Sequence, residues 1–249
     1  MTDMNIFNPC ILVPSYNHSK VIEQVVSDLG ESGLPVFVID DGSDEPHAGV
    51  IAKLHAPDNN VYCFRLTKNA GKGAAVCKGF HEAFQQGYTH AVQVDADGQH
   101  DLDAIQLLIN TAKANPKAVV SGNPVYDDSM PMSRKIGRWI THIWVWIETL
   151  SFEIRDSMCG FRVYPIQSCI KLIETRRIGL RMNFDPEIMV RLYWRGVPVR
   201  MVPVKVIYPE GNTSNFKVWR DNWQISKMHT KLFFGMLFRF PILIARKFK

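Results

Sequence analysis

The densest chemistry in the sequence lies in the stretch from His90 to Asp101, HAVQVDADGQHD. Ala91, Val92, Gln93 and Val94 predict a short buried strand. At its end the chain turns polar, with Asp95 and Asp97 two apart and Gly98 freeing the backbone before Gln99 and His100. Two carboxylates at the carboxyl end of a strand concentrate negative charge that a divalent cation neutralises. Hard cations such as Mg2+ or Mn2+ prefer oxygen ligands and in turn bind phosphate oxygens. The same residues also fit a strand-to-helix turn in which Asp101 caps the next helix and Asp97 braces the loop.

The elements that would position this pair begin at the amino terminus. Cys10 to Pro14 (CILVP) is a short apolar run closed by Ser15 and Asn17. Val21, Ile22, Val25, Val26 and Leu29 then fall at helical spacing before Gly30 and Gly33. A second buried strand, Val36 to Ile39, empties into Asp40, Asp41, Gly42, Ser43 and Asp44, residues that equally suit a turn with helix-capping groups. Val61 to Leu66 predicts a third strand, followed by Asn69, Gly71, Lys72 and Gly73 and a helix from Ala74 to Phe84. Free amides at such a helix start, with Lys72 beside them, suit a phosphate or ribose. The G-x-x-x-x-G-K-[ST] and G-x-G-x-x-G patterns are absent. After the DAD strand come a helix around Ala104 to Ala114 and a strand at Ala118 to Ser121. This alternation, with every polar cluster at a strand's carboxyl end, predicts an α/β fold: a mostly parallel central sheet with helices on both faces. Ligands of such sheets bind at that edge.

Composition narrows the class. A chain of 249 residues with 46% hydrophobic and 21% charged residues suits one sizeable α/β domain. The five cysteines form no C-x-x-C pair, so neither zinc nor a disulfide framework is expected, and a reducing compartment fits. MTDMNIFNPC lacks the basic and long apolar stretches of a signal peptide. The net charge of +5 is unevenly placed: from Thr213 on, eight basic residues face the single acid Asp221. That basic end implies an anionic partner, lipid headgroups or nucleic acid.

Taken in order, VPSYN, VIDDGSDE, NAGKGAAVCKGF and VDADGQHD resemble the family 2 glycosyltransferases of GT-A fold over roughly residues 10 to 210. Through DADGQH and DSMCGFRVY the chain is most similar to the polyprenyl-phosphate sugar synthases of the dolichol-phosphate mannose synthase type. The resemblance implies a GT-A domain over 1–212, with a nucleotide-sugar half to about 125 and an acceptor half over 126–212, followed by a basic amphipathic segment over 213–249. It implies that Pro14, Ser15, Tyr16 and Asn17, with Asp41, hold the base and ribose of a nucleotide-sugar. Asp95 and Asp97 match the D-x-D motif, Asp97 ahead of Asp95 as direct ligand of Mg2+ or Mn2+, with Gln99 near the diphosphate and Lys72 among the donor contacts. The implied reaction inverts configuration at the sugar carbon as the metal stabilises the departing diphosphate.

The second half would supply the acceptor side. Arg134 and Arg138, four apart, form either a solvated basic face or a clamp for an acceptor phosphate. Ile136, Trp139, Ile140, Ile143, Trp144, Ile147 and Leu150 continue as a broad apolar stripe, suited to a core or to sheltering a lipid chain. DSMCGFR, Asp156 to Arg162, matches the family's acceptor-side segment, with Gly160 and Arg162 expected near the sugar and phosphates. Asp185 in NFDPE lies where hydroxyl-accepting members carry a general base, and equally suits a cap for a helix beginning at Pro186. Tyr208 to Lys217 resembles a loop that closes over the donor, which places Ser214 and Lys217 there. No Q-x-x-R-W follows, which argues against a processive polymerase.

In the tail, KLFFGMLFRFPILIARKFK from Lys231 to Lys249, apolar residues are interrupted by Arg239 and Pro241, with no uninterrupted run long enough to span a bilayer. An interfacial helix on an anionic leaflet, or a helix packed on the domain, is expected. Together these readings predict a cytoplasmic enzyme, peripheral on the inner membrane face. Its partners would be a nucleotide-sugar and a lipid-linked acceptor, not nucleic acid, and that acceptor would be a polyprenyl phosphate or a hydroxyl on a lipid or glycan. A phosphohydrolase would carry D-x-D after its first strand and a nucleotidyltransferase a Gly- and Arg-rich loop there. A non-catalytic nucleotide or lipid-binding module is the remaining alternative.

Overall fold

The computed structural model describes residues 7–98, 101–125, 132–205 and 218–248, and for residues 133, 134 and 218 the backbone alone. Strand and helix alternate from the start: β1 (Pro9–Ser15), α1 (Ser19–Gly30), β2 (Val36–Asp40), α2 (His47–Lys53), β3 (Val61–Arg65), α3 (Lys72–Gln85), β4 (His90–Gln93) and α4 (Ile105–Ala114). The chain goes on through β5 (Val119–Val125), α5 (Met132–Thr149), β6 (Arg162–Pro165), α6 (Ile166–Thr175), α7 (Phe184–Trp194), β7 (Val199–Lys205) and α8 (Val218–Ala245).

The strands form one 7-stranded sheet in the order β3-β2-β1-β4-β6-β5-β7. Among the described strands, only β6 runs against its neighbours. Because successive side chains of a strand point to opposite faces, each run splits between two cores. Leu12, Phe37, Ile39 and Ala91 join α3, α6, α7 and α8 on one face. Ile11, Val13, Val36, Val38 and Val92 meet α1 and α4 on the other. Both faces being covered explains why these strands read as continuous apolar runs.

Register places the polar clusters on one edge. Ser15 lies opposite Asp40 across the parallel β1–β2 pair, and Leu12 lies opposite Gln93 across β1–β4. The 15–17, 40–44 and 95–98 turns therefore leave the same side of the sheet. β5 outruns the expected Ala118–Ser121 because β7 pairs with it in parallel from Val119 to Val125. That pairing gives the polar half of β5 ladder partners which its own sequence does not announce.

Two helices depart from expectation. The apolar stripe of α5 faces outward: Ile136, Trp139, Ile140 and Ile143 are exposed, while Thr141, Val145, Glu148 and Thr149 are buried. This corrects the core reading of the stripe, because α7 and α8 pack on the face carrying Val145 and Glu148. Glu148 accepts from His229 of α8 at 2.8 Å across that contact. α8 is one continuous helix through Arg239 and Pro241. Trp219–Phe248 is long and apolar enough to cross a membrane, which corrects the expectation that no segment there reaches such a length. It nonetheless docks along the domain through Met228, Leu232, Met236 and Leu243, leaving Trp219 (92%) and Phe238 (86%) exposed.

Candidate active site

Three turns at the sheet edge are tied into one frame. Asn17 takes a left-handed φ of 57°, a conformation that Asn tolerates. Its amide donates to Ser43 Oγ at 3.0 Å, and its side-chain oxygen accepts from the Asp44 amide at 3.0 Å. Asp41 is buried and turned inward: its carboxylate accepts from the amides of Ala70 and Gly71, both at 2.8 Å, and from Asn69 Nδ2 at 3.0 Å. Burial pushes the Asp41 carboxyl above its ordinary range, and the two amides pull it partly back. Asp41 thus braces the glycine-rich turn. Gly71 sits at φ 107°, where a side chain would run into the Leu180 carbonyl, so glycine is required. Arg181, which the motif reading missed, donates to Asn69 Oδ1 at 3.0 Å and links this turn to the second half of the chain.

At the centre of the edge stands Lys72, the first residue of α3. Its ammonium lies 2.8 Å from Asp95 Oδ1 and 2.9 Å from Asp185 Oδ2. Burial works against this charge, but Asp185 and Asp95 outweigh it and hold the ammonium well above its ordinary value. Gly160 closes the pair from above: a Cβ there would lie 2.6 Å from Asp95 Oδ2 and 2.7 Å from Lys72 Nζ. Asp185 sits in the first turn of α7, whose N-cap is Asn183, so it does not cap the helix. Lys72 was expected among the donor contacts; the structure shows it bridging the turn after β4 and the start of α7.

Arg162 is likewise not at the crevice surface. It is 0% exposed and donates to Ser121 Oγ (3.1 Å), the Tyr164 hydroxyl (3.0 Å), and the backbone oxygens of Asp185 (2.9 Å) and Ser157 (2.6 Å). Its guanidinium lies 3.8 Å from Asp185 Oδ1. With its donors turned inward it positions β5, the 157–160 loop and α7. This replaces the expected contact with sugar and phosphates. Arg138 and Asp156 meet each other at 2.6 Å. Asp156 also accepts from the Met158 and Cys159 amides, both at 2.8 Å, holding the loop that delivers Gly160. Burial opposes the Asp156 charge, but Arg138 prevails and keeps its carboxyl below the ordinary range.

Asp97 lies partly exposed beside Asp95, and Asp101 caps the following turn through the Asp103 amide at 3.2 Å. Pro14 and Ser15 are buried, and Tyr16 and Asn17 are half-buried at the same edge. The calls on Gln99, Ser214 and Lys217, and on the side chain of Arg134, lie outside the described residues.

Residues 10–174 match Glycosyl transferase family 2. The chain belongs to that family. UDP-N-acetylglucosamine--dolichyl-phosphate N-acetylglucosaminyltransferase of Methanococcus voltae is 26% identical over 221 residues, spanning 80% of this chain and 86% of that protein. Undecaprenyl-phosphate mannosyltransferase of Micrococcus luteus is 26% identical over 182 residues, 69% of this chain and 74% of that one. Among solved structures, glucosyl-3-phosphoglycerate synthase from Mycobacterium tuberculosis with Mn2+ and UDP-glucose superposes at a TM-score of 0.66 with 13% identity, covering 92% of this chain and 78% of that one. A mannosyltransferase from Pyrobaculum calidifontis with GDP-Man and Mn2+ gives 0.59 and 18%, covering 89% and 62%. These superpositions establish the GT-A fold, and family membership makes the chain a glycosyltransferase.

For this family 2 glycosyltransferase, the tight seat of Gly160 yields a direct prediction. Gly160→Ala forces the Asp95–Lys72 pair apart, and overpacking of this kind costs about 1–3 kcal/mol. A matching fall in the denaturation midpoint, with a larger proportional loss of transfer, is expected. An alanine variant with unchanged transfer would mean that the loop moves away from Asp95 at little cost.

Proposed function

We propose that this family 2 enzyme is an inverting, divalent-metal-dependent transferase that moves a sugar from a nucleotide-sugar to a polyprenyl phosphate at a membrane surface. The observation that carries the choice of acceptor is the commitment of Asp185. A hydroxyl acceptor needs a base as it attacks, whereas a lipid phosphate arrives already anionic. The Asp185 carboxylate is held by Lys72 at 2.9 Å and lies 3.8 Å from Arg162, so taking a proton would break those contacts. The printed activities of the M. voltae and M. luteus relatives support the same acceptor class.

In this reading the 14–17 turn receives the base and ribose, within the frame that Asp41 braces. Asp97 fits a divalent cation as a hard oxygen donor beyond a strand end, the remaining ligands coming from diphosphate and water. Asp95, held by Lys72 at 2.8 Å and 2.9 Å, lies beside it and would reach the cation only by sharing its carboxylate with that ammonium. The Mn2+ in both solved relatives supports that assignment. When bound, the metal would stabilise charge on the departing diphosphate. An acceptor phosphate oxygen attacks the sugar carbon from the opposite face. As that bond forms, the bond to the donor's diphosphate oxygen breaks and its electron pair leaves with the nucleoside diphosphate.

The test is a panel of nucleotide-sugars with Mg2+ or Mn2+, offered polyprenyl phosphate or the corresponding polyprenol. Acid-labile labelled lipid from the phosphate alone is expected. Product from the alcohol, lost in Asp185→Asn, would overturn the choice.

Membrane contact is proposed through α5 and α8 together. Their packed pair, joined where Trp144 meets Phe233, exposes Trp139, Ile140 and Ile143 on α5 and Phe234 and Phe238 on α8, apolar surface of the kind that marks an interaction site. Phe234→Ser with Phe238→Ser is expected to reduce co-sedimentation with anionic vesicles several-fold while leaving nucleotide binding intact. Unchanged co-sedimentation would remove α8 from the membrane contact.

A further inference from the structure

A second concavity lies away from the sheet edge that holds Asp95 and Asp185. It has a volume of about 130 Å³ and is lined by Leu172 and Arg176 from the end of α6, Arg191, Trp194 and Arg195 from the end of α7, and Arg239 from α8. That is roughly the space of four waters, enough for one tetrahedral anion. α7 separates the two places: Asp185 is at its start and Trp194 at its end, about 14 Å apart at 1.5 Å per residue.

The charges around this cavity do not balance. Arg191 is paired with Glu187, its guanidinium 2.7–2.8 Å from Oε1. Among the described residues Arg195 donates to neutral acceptors alone, the Lys171 carbonyl at 3.1 Å and the Thr175 hydroxyl. Arg239 lies 4.6 Å over the Trp194 ring and donates to the Gly235 carbonyl at 2.8 Å. The Arg176 guanidinium has no hydrogen bond or ion pair among the described residues. The negative end of a helix attracts cations, which accounts for Arg195. The end of α6 accounts for Arg176 in the same way, but neither helix end accounts for Arg239, which reaches the same hollow from within α8. Burial, and then the neighbouring guanidiniums, push the Arg195 and Arg239 side chains below the ordinary arginine range, so an anion between them would relieve mutual repulsion.

We propose that Arg176, Arg191, Arg195 and Arg239 form a phosphate-binding pocket separate from the sugar-transfer crevice. Planar guanidiniums give the forked donors that phosphate oxygens accept. The phosphate would be carried by an anionic lipid headgroup or by a soluble phosphate ester. Phe238, Phe240 and Ile242 are exposed next to Arg239 in the sequence of α8, which brings a bilayer surface within reach of the hollow.

The experiment uses the full chain and two probes: inorganic phosphate by calorimetry, and vesicles of phosphatidylcholine with or without phosphatidic acid by flotation. Arg176→Gln alone removes a guanidinium with no partner to disturb, and Arg176→Gln with Arg239→Gln removes two. At least tenfold weaker binding of the double variant to one probe or both is expected, with the single variant between. Loss confined to phosphatidic acid vesicles assigns the headgroup, and loss with inorganic phosphate assigns a soluble ester. Wild-type binding by both variants to both probes overturns the pocket. Asp97→Ala keeps this outcome apart from the transferase reading: it is expected to leave phosphate and vesicle binding unchanged, and loss of binding there would place the anion in the donor crevice and overturn the pocket.

Discussion

Lys72→Met is expected to cost the fold about 3–5 kcal/mol, the range for removing one partner from a buried ion pair, and to abolish most transfer. The ammonium bridges Asp95 and Asp185, and none of the three side chains is more than a quarter exposed. Methionine fills the space but leaves two carboxylates facing each other without the ammonium between them, with Arg162 near Asp185 Oδ1 at 3.8 Å as partial compensation. Chemical denaturation reads the loss directly. Lys72→Met combined with Asp185→Asn should recover part of it, because the amide removes one uncompensated charge. The sign of the pH dependence follows from the raised Lys72 value. The stabilisation is complete below the ordinary lysine value of 10.5 and is lost only as pH rises through the higher folded value, so the variant and the parent should differ by a constant amount across neutral pH. Equal stability of Lys72→Met and the parent would show that the bridge is not formed in solution.

That bridge was not legible in the sequence, although much around it was. β1, β2 and β4 could be read because buried parallel strands are apolar on both faces, and the polar clusters fell at one edge because parallel strands all end on the same side. The motifs singled out Lys72, Asp95, Gly160 and Asp185 separately, and 113 positions separate the first from the last. Which of them neutralises which is a property of tertiary approach, and sequence spacing carries no sign of it. Arg162 shows the same limit from the other side. An arginine in a family motif suggests a substrate contact, yet Ser121, Ser157, Tyr164 and the Asp185 carbonyl consume its donors inside the sheet. The stripe on α5 misled because periodicity reports that a helix has an apolar face without reporting what lies opposite it. Here the face that meets α8 is the one carrying Val145 and Glu148; Trp139 looks outward, and Trp144 lies at the margin against His229 and Phe233 of α8.

Asp97→Ala is expected to lower transfer by about 10²–10³-fold, the loss typical of removing one preorganised stabiliser of transition-state charge, while changing stability by no more than about 0.5 kcal/mol. Asp95 and Asp97 differ in what they are tied to. Asp95 carries the Lys72 bridge and packs under Gly160, so its replacement damages fold and chemistry together. Asp97 sits partly exposed at the tip of the same turn, where a side-chain truncation reaches the donor side without undoing the bridge. If its carboxylate serves a divalent cation, a chelator and the substitution remove the same contribution. The parent should fall steeply in chelator and recover with added Mn2+ or Mg2+, the variant should show little further loss, and the combined effect should fall well short of the product of the two. Multiplicative losses would place Asp97 outside the metal's coordination. Retention of more than a tenth of parental transfer by a folded Asp97→Ala protein would remove it from the chemistry altogether.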